Sequence, residues 1–203
     1  MARSTGPKCK VCRRLGVSIC GKVKCALKRR NTPPGMHGQK GRKQLSGFAS
    51  QLQEKQKVKF TYGIMERQLR KYVDQATKKS GNTGIFLQIM LEMRLDNVVY
   101  RLGFAESRAK ARQMVTHGHV RVNSKKIDIP SYAVRVGDVV SIKEVKRESK
   151  MFDTVRQGLA AYQPPSWLSL DAGAWSGTVL GAPTPEELAM LFDAQPLIEY
   201  YSR

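Results

Sequence analysis

The stretch Arg94–Asn123, RLDNVVYRLGFAESRAKARQMVTHGHVRVN, decides how this chain of 203 residues is read. Leu91, Leu95, Val98 and Leu102 recur at helical spacing with Val99 beside them, and Gly103 follows where a helix ends in a left-handed residue. Ser107 offers a hydroxyl to cap a second helix over about 108–117, and Gly118 closes its far end. At about 100° per residue Ala111, Met114 and Val115 share one arc, bordered by Arg108 and Arg112 on one side and Lys110 on the other. After Gly118 the period changes to two, with Val120 and Val122 facing one way and His119 and Arg121 the other. Asn123-Ser124 then reads as a hairpin turn.

Two short helices and a strand that keep their cations on one side form a basic wedge suited to phosphates and exposed bases. Its candidate nucleic-acid-binding residues are Arg94, Tyr100, Arg101, Ser107, Arg108, Lys110, Arg112, Gln113, His117, His119, Arg121 and Asn123, with Lys125 and Lys126 past the turn. A few arginines on one helix are usually a solvated charged face. Here the charge continues beyond the turn, which favours a binding surface. Because Arg108 and Arg112 border the packed arc, reversing their charge is expected to weaken RNA binding and leave stability nearly intact.

Composition supports a polyanionic partner. The formal net charge is +20 and the isoelectric point is near 10.1, with 41% hydrophobic residues available for real cores. The charge is uneven: residues 157–203 contain only Arg203 as a base against Asp171, Glu186, Glu187, Asp193 and Glu199, so the excess lies in the first 156 residues. No long apolar segment and no charged-then-apolar leader is present, so a soluble, unprocessed protein is expected, with no membrane partner.

Residues 1–45 are rich in Gly, Pro, Lys and Arg and lack the periodicity of a core. All four cysteines fall here, as Cys9-x2-Cys12 and Cys20-x4-Cys25, a spacing that lets four sulfurs meet one ion tetrahedrally. Structural zinc is the first expectation, since Lys8, Lys10, Arg13, Lys22 and Lys24 favour thiolates; free thiols, disulfides and an iron–sulfur cluster are the alternatives. Arg14, Arg29, Arg30, His37, Lys40, Arg42 and Lys43 join Lys8, Lys10 and Arg13 as candidate RNA contacts of the arm. Gly35 and Gly38, in Pro33-Pro34-Gly35-Met36-His37-Gly38, permit sharp turns beside a phosphate chain.

From Ser46 to Thr77 the period is helical, through Phe48, Leu52 and Val58 and then Ile64, Leu69, Tyr72, Val73 and Ala76, with Tyr62-Gly63 as the break. Lys55, Lys57, Arg67, Arg70 and Lys71 are the candidate RNA contacts of the polar sides. Residues 80–84 form a turn, and Ile85–Met93 a third helix. Beyond the wedge, Ile127, Ile129, Val134, Val136 and Val139–Ile142 read as short strands of a curled sheet. Met151–Tyr162 has helical spacing, while Trp167, Leu168, Leu170, Trp175 and Val179 anchor a partly β segment. Thr184-Pro185-Glu186-Glu187 carries the pattern of a capping box.

The quoted residues resemble a known family. RLDNVVYRLGF, the Ser-Arg start of the second helix and HGHVRVN are similar to the small RNA-binding domain of bacterial-type small-subunit ribosomal protein four, which also occurs in some pseudouridine synthases and tyrosyl-tRNA synthetases and in a heat-shock RNA-binding protein. The Cys arm, PPG-x-HG, EKQK, YGIMERQ, GNTG and the terminal Tyr-Ser-Arg extend the resemblance to that ribosomal family over essentially the whole chain. Departures are Ser124 at a common Gly position, Met36 for Gln, Met65 for a capping Ser, and a shorter loop between the Cys pairs. The resemblance implies a non-enzyme: a primary binder of the 5′ domain of 16S-type rRNA that nucleates assembly, contacts ribosomal protein five, and lies where mRNA enters, affecting accuracy. It implies a cytoplasmic ribosome, or an organellar one, and no small-molecule substrate. Some family members bind metal through such cysteine pairs and others lack them.

The expected fold class is therefore α+β: a basic zinc-bound N-terminal arm (1–45), a helical domain (46–92, completed by the tail 195–203), and an RNA-binding domain (93–194). In the last, two helices pack on a short curled β-sheet, and the wedge spans 93–123. The rivals are a pseudouridine synthase, which needs a catalytic domain with a nucleophilic Asp, and a zinc-bearing nucleic-acid-binding regulator. No phosphate loop, GxSxG elbow or HExxH motif occurs in the sequence.

Overall fold

The computed structural model describes residues 6–22, 24–42, 44–147, 149, 152–189 and 192–202. The chain divides into two compact units, Met1–Gln88 with Ala189–Arg203, and Ile89–Leu188.

The first unit begins with α1 (Lys8–Leu15), α2 (Ala26–Arg29) and a 3-10 turn, Met36–Lys40. Two longer helices follow, α3 (Gly47–Tyr62) and α4 (Glu66–Thr77). Ser46 caps α3 by accepting from the Ala49 amide at 3.3 Å, and Gly63 at φ 63° ends it. Leu69, Val73 and Ala76, one turn apart along α4, form its buried face, leaving Arg67, Arg70 and Lys71 exposed on the other. Asn82 starts α5 (Thr83–Glu92), its Oδ1 accepting from the amides of Gly84 and Ile85.

In the second unit α6 (Leu95–Arg101) and α7 (Arg108–Thr116) pack against each other and on a five-stranded antiparallel sheet. The strands are β1 (Val120–Val122), β2 (Lys125–Lys126), β3 (Val139–Ile142), β4 (Leu168–Asp171) and β5 (Ser176–Val179), in the order β2-β1-β3-β5-β4. The short helices α8 (Glu144–Arg147), α9 (Asp153–Leu159) and α10 (Pro185–Ala189) complete this unit. Ser107 caps α7 by accepting from the Lys110 amide, and Gly103 and Gly118 adopt φ 79° and 68°. Asn123 and Ser124 both have positive φ, 48° and 67°, which makes the hairpin a type I′ turn even with Ser at the second position. Leu95, Val98 and Val99 from α6 with its C-cap Leu102, Ala111, Met114 and Val115 from α7, and Val120, Val140, Ile142 and Val179 from the sheet meet in one core with Phe104, Phe152 and Trp167.

Two expectations are corrected here. The apolar stripe from Leu91 to Leu102 is not one helix: Arg94 is extended (φ −73°, ψ 138°), so the stripe belongs to the end of α5 and to α6. Residues 127–136 do not form strands. They wrap the start of α6, where the carbonyls of Tyr132 and Pro130 accept from the otherwise orphan amides of Leu95 and Asp96 at 2.9 and 3.1 Å, and Arg94 makes a single bridge with Ala133. Ile129 and Val136 are accordingly exposed.

The C-terminal helix α11 (Gln195–Tyr201) returns to the first unit and packs on α3 and α4. Its neighbourhood includes Tyr200 against Phe48, ring centroids 5.7 Å apart, and Phe192 edge-on to Tyr62.

Candidate nucleic-acid interface

The wedge is organised by two buried carboxylates. The break at Met93-Arg94 leaves Glu92 at the end of α5 and Asp96 in the first turn of α6, both nearly sealed from water. Glu92 accepts from Arg101 at 2.8 and 3.2 Å and from the Asn97 amide at 2.9 Å, and the Arg108 guanidinium stands 3.8 Å away. Asn97 Oδ1 in turn accepts from Arg108 Nε at 2.7 Å. Asp96 accepts from Arg94 at 2.7 and 3.1 Å, with Arg112 at 3.4 Å. Each acid is thus held between two guanidiniums, which answers the cost of burying its charge and leaves the cluster with excess positive charge.

This changes what several arginines do. Arg94, expected to face RNA, is 1% exposed and its place is inside the fold. Arg108 and Arg112 border the packed arc as expected, but they also reach buried acids, at 3.8 Å from Glu92 and 3.4 Å from Asp96. The geometry therefore predicts that reversing their charge costs stability as well as RNA binding: sequence spacing shows which side of a helix a residue is on, not which carboxylate waits there. Arg101 and Arg108 remain partly open, and Arg108 lies over the Tyr100 ring, 4.6 Å from its centroid.

Toward solvent the wedge presents Gln113 and His117 at the end of α7, half-buried His119 and Arg121 along β1, and exposed Asn123, Lys125 and Lys126 at the hairpin. Lys110 reaches Glu106 at 3.5 Å, and Ser107 is occupied as a cap. Asn123 also pins the turn, donating to Asp138 at 2.7 Å and accepting from the Val139 amide. The rings of His117 and His119 lie 5.9 Å apart. At Gly118 a side chain would collide with the Lys126 stem, so the helix end and the hairpin meet closely.

In the first unit Lys55 is also corrected from RNA contact to internal support. It is buried, bonds Glu66 at 2.9 Å and stands 4.3 Å from the Tyr200 centroid. Burial pushes the Glu66 carboxyl up, but hydrogen bonds from Lys55, Tyr201 and Lys59 outweigh it and hold the pKa down at about 2. Lys57 pairs with Glu54 at 3.2 Å, while Arg67, Arg70 and Lys71 stay exposed.

In the arm, Lys8, Lys10, Arg14, Arg29, Arg30, His37 and Lys40 are exposed, and Lys43 lies outside the described residues. Arg13 donates to the carbonyls of Thr32 and Pro33 at 3.0 and 3.1 Å, and Arg42 to that of Arg13 at 2.9 Å and to Asn31 at 3.1 Å. With no acid before Glu54, these guanidiniums staple backbone carbonyls instead. A side chain at Gly38 would collide with the Pro33 carbonyl oxygen, which accounts for glycine in the PPGMHG turn.

The sulfurs of Cys9, Cys20 and Cys25 lie within 4.8 Å of one another, and fully buried Cys12 packs in the same cluster. The backbone N–H of Leu27 favours the Cys25 thiolate and, against burial, lowers its pKa to about 7; burial pushes Cys20 up. The cluster has the donors a metal ion needs.

Comparison with known proteins places these features. The Ribosomal protein S4/S9 N-terminal domain family matches residues 3–92, and the S4 domain family matches 93–140. The chain is 46% identical over 209 residues to small ribosomal subunit protein uS4 of Syntrophomonas wolfei subsp. wolfei, with all of both chains covered. It is 48% identical over 209 residues to uS4A of Symbiobacterium thermophilum and 48% over 206 residues to uS4 of Chloroflexus aurantiacus, again over all of each chain. The chain belongs to the uS4 family. As a uS4 family member it is a structural component of the small ribosomal subunit with rRNA as its partner, and it is not an enzyme. No helix among the described residues is long and apolar enough to cross a membrane.

Sequence reasoning missed the acceptors that organise this uS4 family member. Glu92, Asp96 and Asn97 interrupt the apolar stripe around Leu91 and Leu95, and charged residues at such positions are the one signal that arginines nearby would turn inward. Glu66 and Tyr201, joined at 2.7 Å across the first unit, left no local signal.

Proposed function

We propose that this chain binds the 5′ domain of the small-subunit rRNA early in assembly, through the wedge and the basic arm. The observation that carries the reading is the solvent side of the wedge. Gln113, His117, Arg121, Lys125 and Lys126 lie along one helix end, strand and hairpin, backed by the guanidiniums on Glu92 and Asp96. Phosphates position such a surface, and splayed bases on structured RNA give it selectivity. The finer partners, ribosomal protein five and mRNA where it enters the subunit, and placement in cytoplasmic ribosomes, are proposals from the family resemblance. Residues 1–45, 46–92 with 195–203, and 93–194 are proposed as the working divisions of the chain.

The arm is proposed to hold one structural zinc through Cys9, Cys12, Cys20 and Cys25. Zinc–thiolate bonds of about 2.3 Å put ligand sulfurs about 3.8 Å apart, so Cys9, Cys20 and Cys25, whose sulfurs lie within 4.8 Å of one another, fit after a small closure, and buried Cys12 in the same cluster is the fourth donor proposed. Four thiolates leave no open position, so the ion would order the arm and perform no reaction.

The test titrates a 5′-domain rRNA fragment and an unrelated RNA of equal length across a salt series. Affinity for both falls steeply with salt, by about 0.7–0.9 in log K per log salt for each phosphate neutralised on linear nucleic acids. A preference for the 5′ domain that persists at high salt supports the reading. Equal binding at every salt concentration would show nonspecific coating instead.

A further inference from the structure

Tyr162 follows α9, beyond both family matches, residues 3–92 and 93–140. The chain brings its ring back onto the turn between α6 and α7. A Cβ built on Gly103 would stand only 2.7–3.0 Å from the ring atoms Cδ1, Cγ and Cε1, so the aromatic ring occupies the space a side chain would take. The Tyr162 hydroxyl donates to the Arg101 carbonyl at 3.1 Å, and its amide donates to the Leu159 carbonyl at 3.2 Å. Despite these anchors Tyr162 is 39% exposed, whereas Phe104 beside the same turn is sealed in the core.

The same turn carries the Arg108 guanidinium over the Tyr100 ring, and both Arg101 and Arg108 are tied to Glu92. The Tyr162 ring thus lies against Gly103, and Tyr100, Arg101 and Arg108 are near enough to act electrostatically on its hydroxyl. Of the acids here, Glu92 is buried and shared by both arginines, and Glu106 in the same turn is paired with Lys110 at 3.5 Å. Unpaired bases stack on tyrosine rings and on arginine planes, and a neighbouring cation meets the phosphate that follows.

We propose that Tyr162, with the Arg108–Tyr100 stack, is a platform on which an unpaired nucleobase of the bound RNA stacks. The proposal rests on the rRNA-binding reading above and adds a base contact from the segment that follows the wedge. Tyr162 supplies ring surface, its hydroxyl fixes the ring by its bond to Arg101, and the open parts of Arg101 and Arg108 face the adjoining phosphate.

The full chain and its Tyr162→Leu and Tyr162→Phe variants are titrated with the 5′-domain fragment and with an unrelated RNA. The parent is also photo-crosslinked to both RNAs substituted with a photoreactive analogue of each base in turn, and its modified peptides are mapped by mass spectrometry. Stacking is worth about 1–3 kcal/mol per base, so Tyr162→Leu binds about ten-fold more weakly, while Tyr162→Phe, which keeps the ring, stays within about three-fold of the parent. A crosslink at Tyr162 is expected. If Tyr162→Leu binds as the parent does, or no crosslink forms at Tyr162, the platform is wrong while rRNA binding stands. If the parent shows no preference for the 5′ domain, the rRNA-binding reading falls, and the platform is decided by the crosslink to the unrelated RNA. If Tyr162→Leu does not fold, the Phe variant and the parent crosslink decide.

Discussion

Replacing Arg108 by glutamate tests whether the wedge arginines support the fold. The substitution removes the 2.7 Å bond from Arg108 Nε to Asn97 and the 3.8 Å ion pair with Glu92, and it sets a second carboxylate beside one that is 2% exposed. Stripping one partner from a buried pair costs about 3–5 kcal/mol when nothing replaces it. Arg101 still holds Glu92 through bonds of 2.8 and 3.2 Å, so the expected loss is reduced to about 2 kcal/mol. For a unit the size of Ile89–Leu188, each kcal/mol moves Tm by about 4–8 °C, which predicts a fall of about 10 °C. Thermal unfolding of the full chain followed by circular dichroism measures this, with RNA affinity measured below the lowered transition. A Tm within about 2 °C of the parent, together with lost RNA affinity, would refute the structural role and restore the view of Arg108 as a surface contact only.

Glu66 gives a pH signature. Its pKa is lowered in the fold from 4.5 to about 2, so its contribution is full above pH 4.5 and is lost as pH falls toward 2. The Tm advantage of the parent over Glu66→Gln should shrink through that window; the side chain is 44% exposed, so the advantage is modest. An advantage that does not change with pH contradicts the assignment. Gly177→Ala would collide with fully buried Leu102, whose Cδ1 lies 2.8 Å from the added Cβ, and overpacking of this kind costs about 1–3 kcal/mol. Leu102→Val in the same background should recover part of the lost Tm, and purely additive losses in the double-mutant cycle would rule the clash out. Removing metal with a chelator should increase protease cleavage within residues 8–42 and leave the unfolding of Ile89–Leu188 unchanged. Elemental analysis of the purified chain with no zinc, or with iron and inorganic sulfide, contradicts the zinc assignment.

The wedge was legible in the sequence because its boundaries are local. Ser107, Gly103, Gly118 and the Asn123-Ser124 turn each act within a few residues of themselves, and the structure uses each where spacing placed it. The capping box was equally readable: Thr184 and Glu187 exchange bonds at 3.3 and 3.4 Å. Residues 127–136 were misread because alternating apolar residues look the same whether they pair as strands or wrap a helix start. The fate of their amides and carbonyls depends on α6, more than thirty positions back in the chain for its first residue. The inward arginines were hidden for a related reason. A guanidinium on a helix border signals its side of the helix, whereas its partner is fixed only when α5, α6 and α7 come together. Arg94 shows the limit most clearly, a full charge at 1% exposure whose partner, Asp96, lies only two residues away.

The paired acids also bear on the thermodynamics of docking. An arginine free in solvent gives up about 2 kcal/mol of rotamer entropy when a phosphate fixes it. Arg101, Arg108 and Arg112 have surrendered much of that freedom already, because Glu92, Asn97 and Asp96 set their orientations as the chain folds. In the proposed docking the disorder lost therefore falls mainly on the lysines of the hairpin. An association in which the helices contribute rigidity and the hairpin contributes mobile charge should show its unfavourable entropy concentrated at Lys125 and Lys126, the exposed residues of β2.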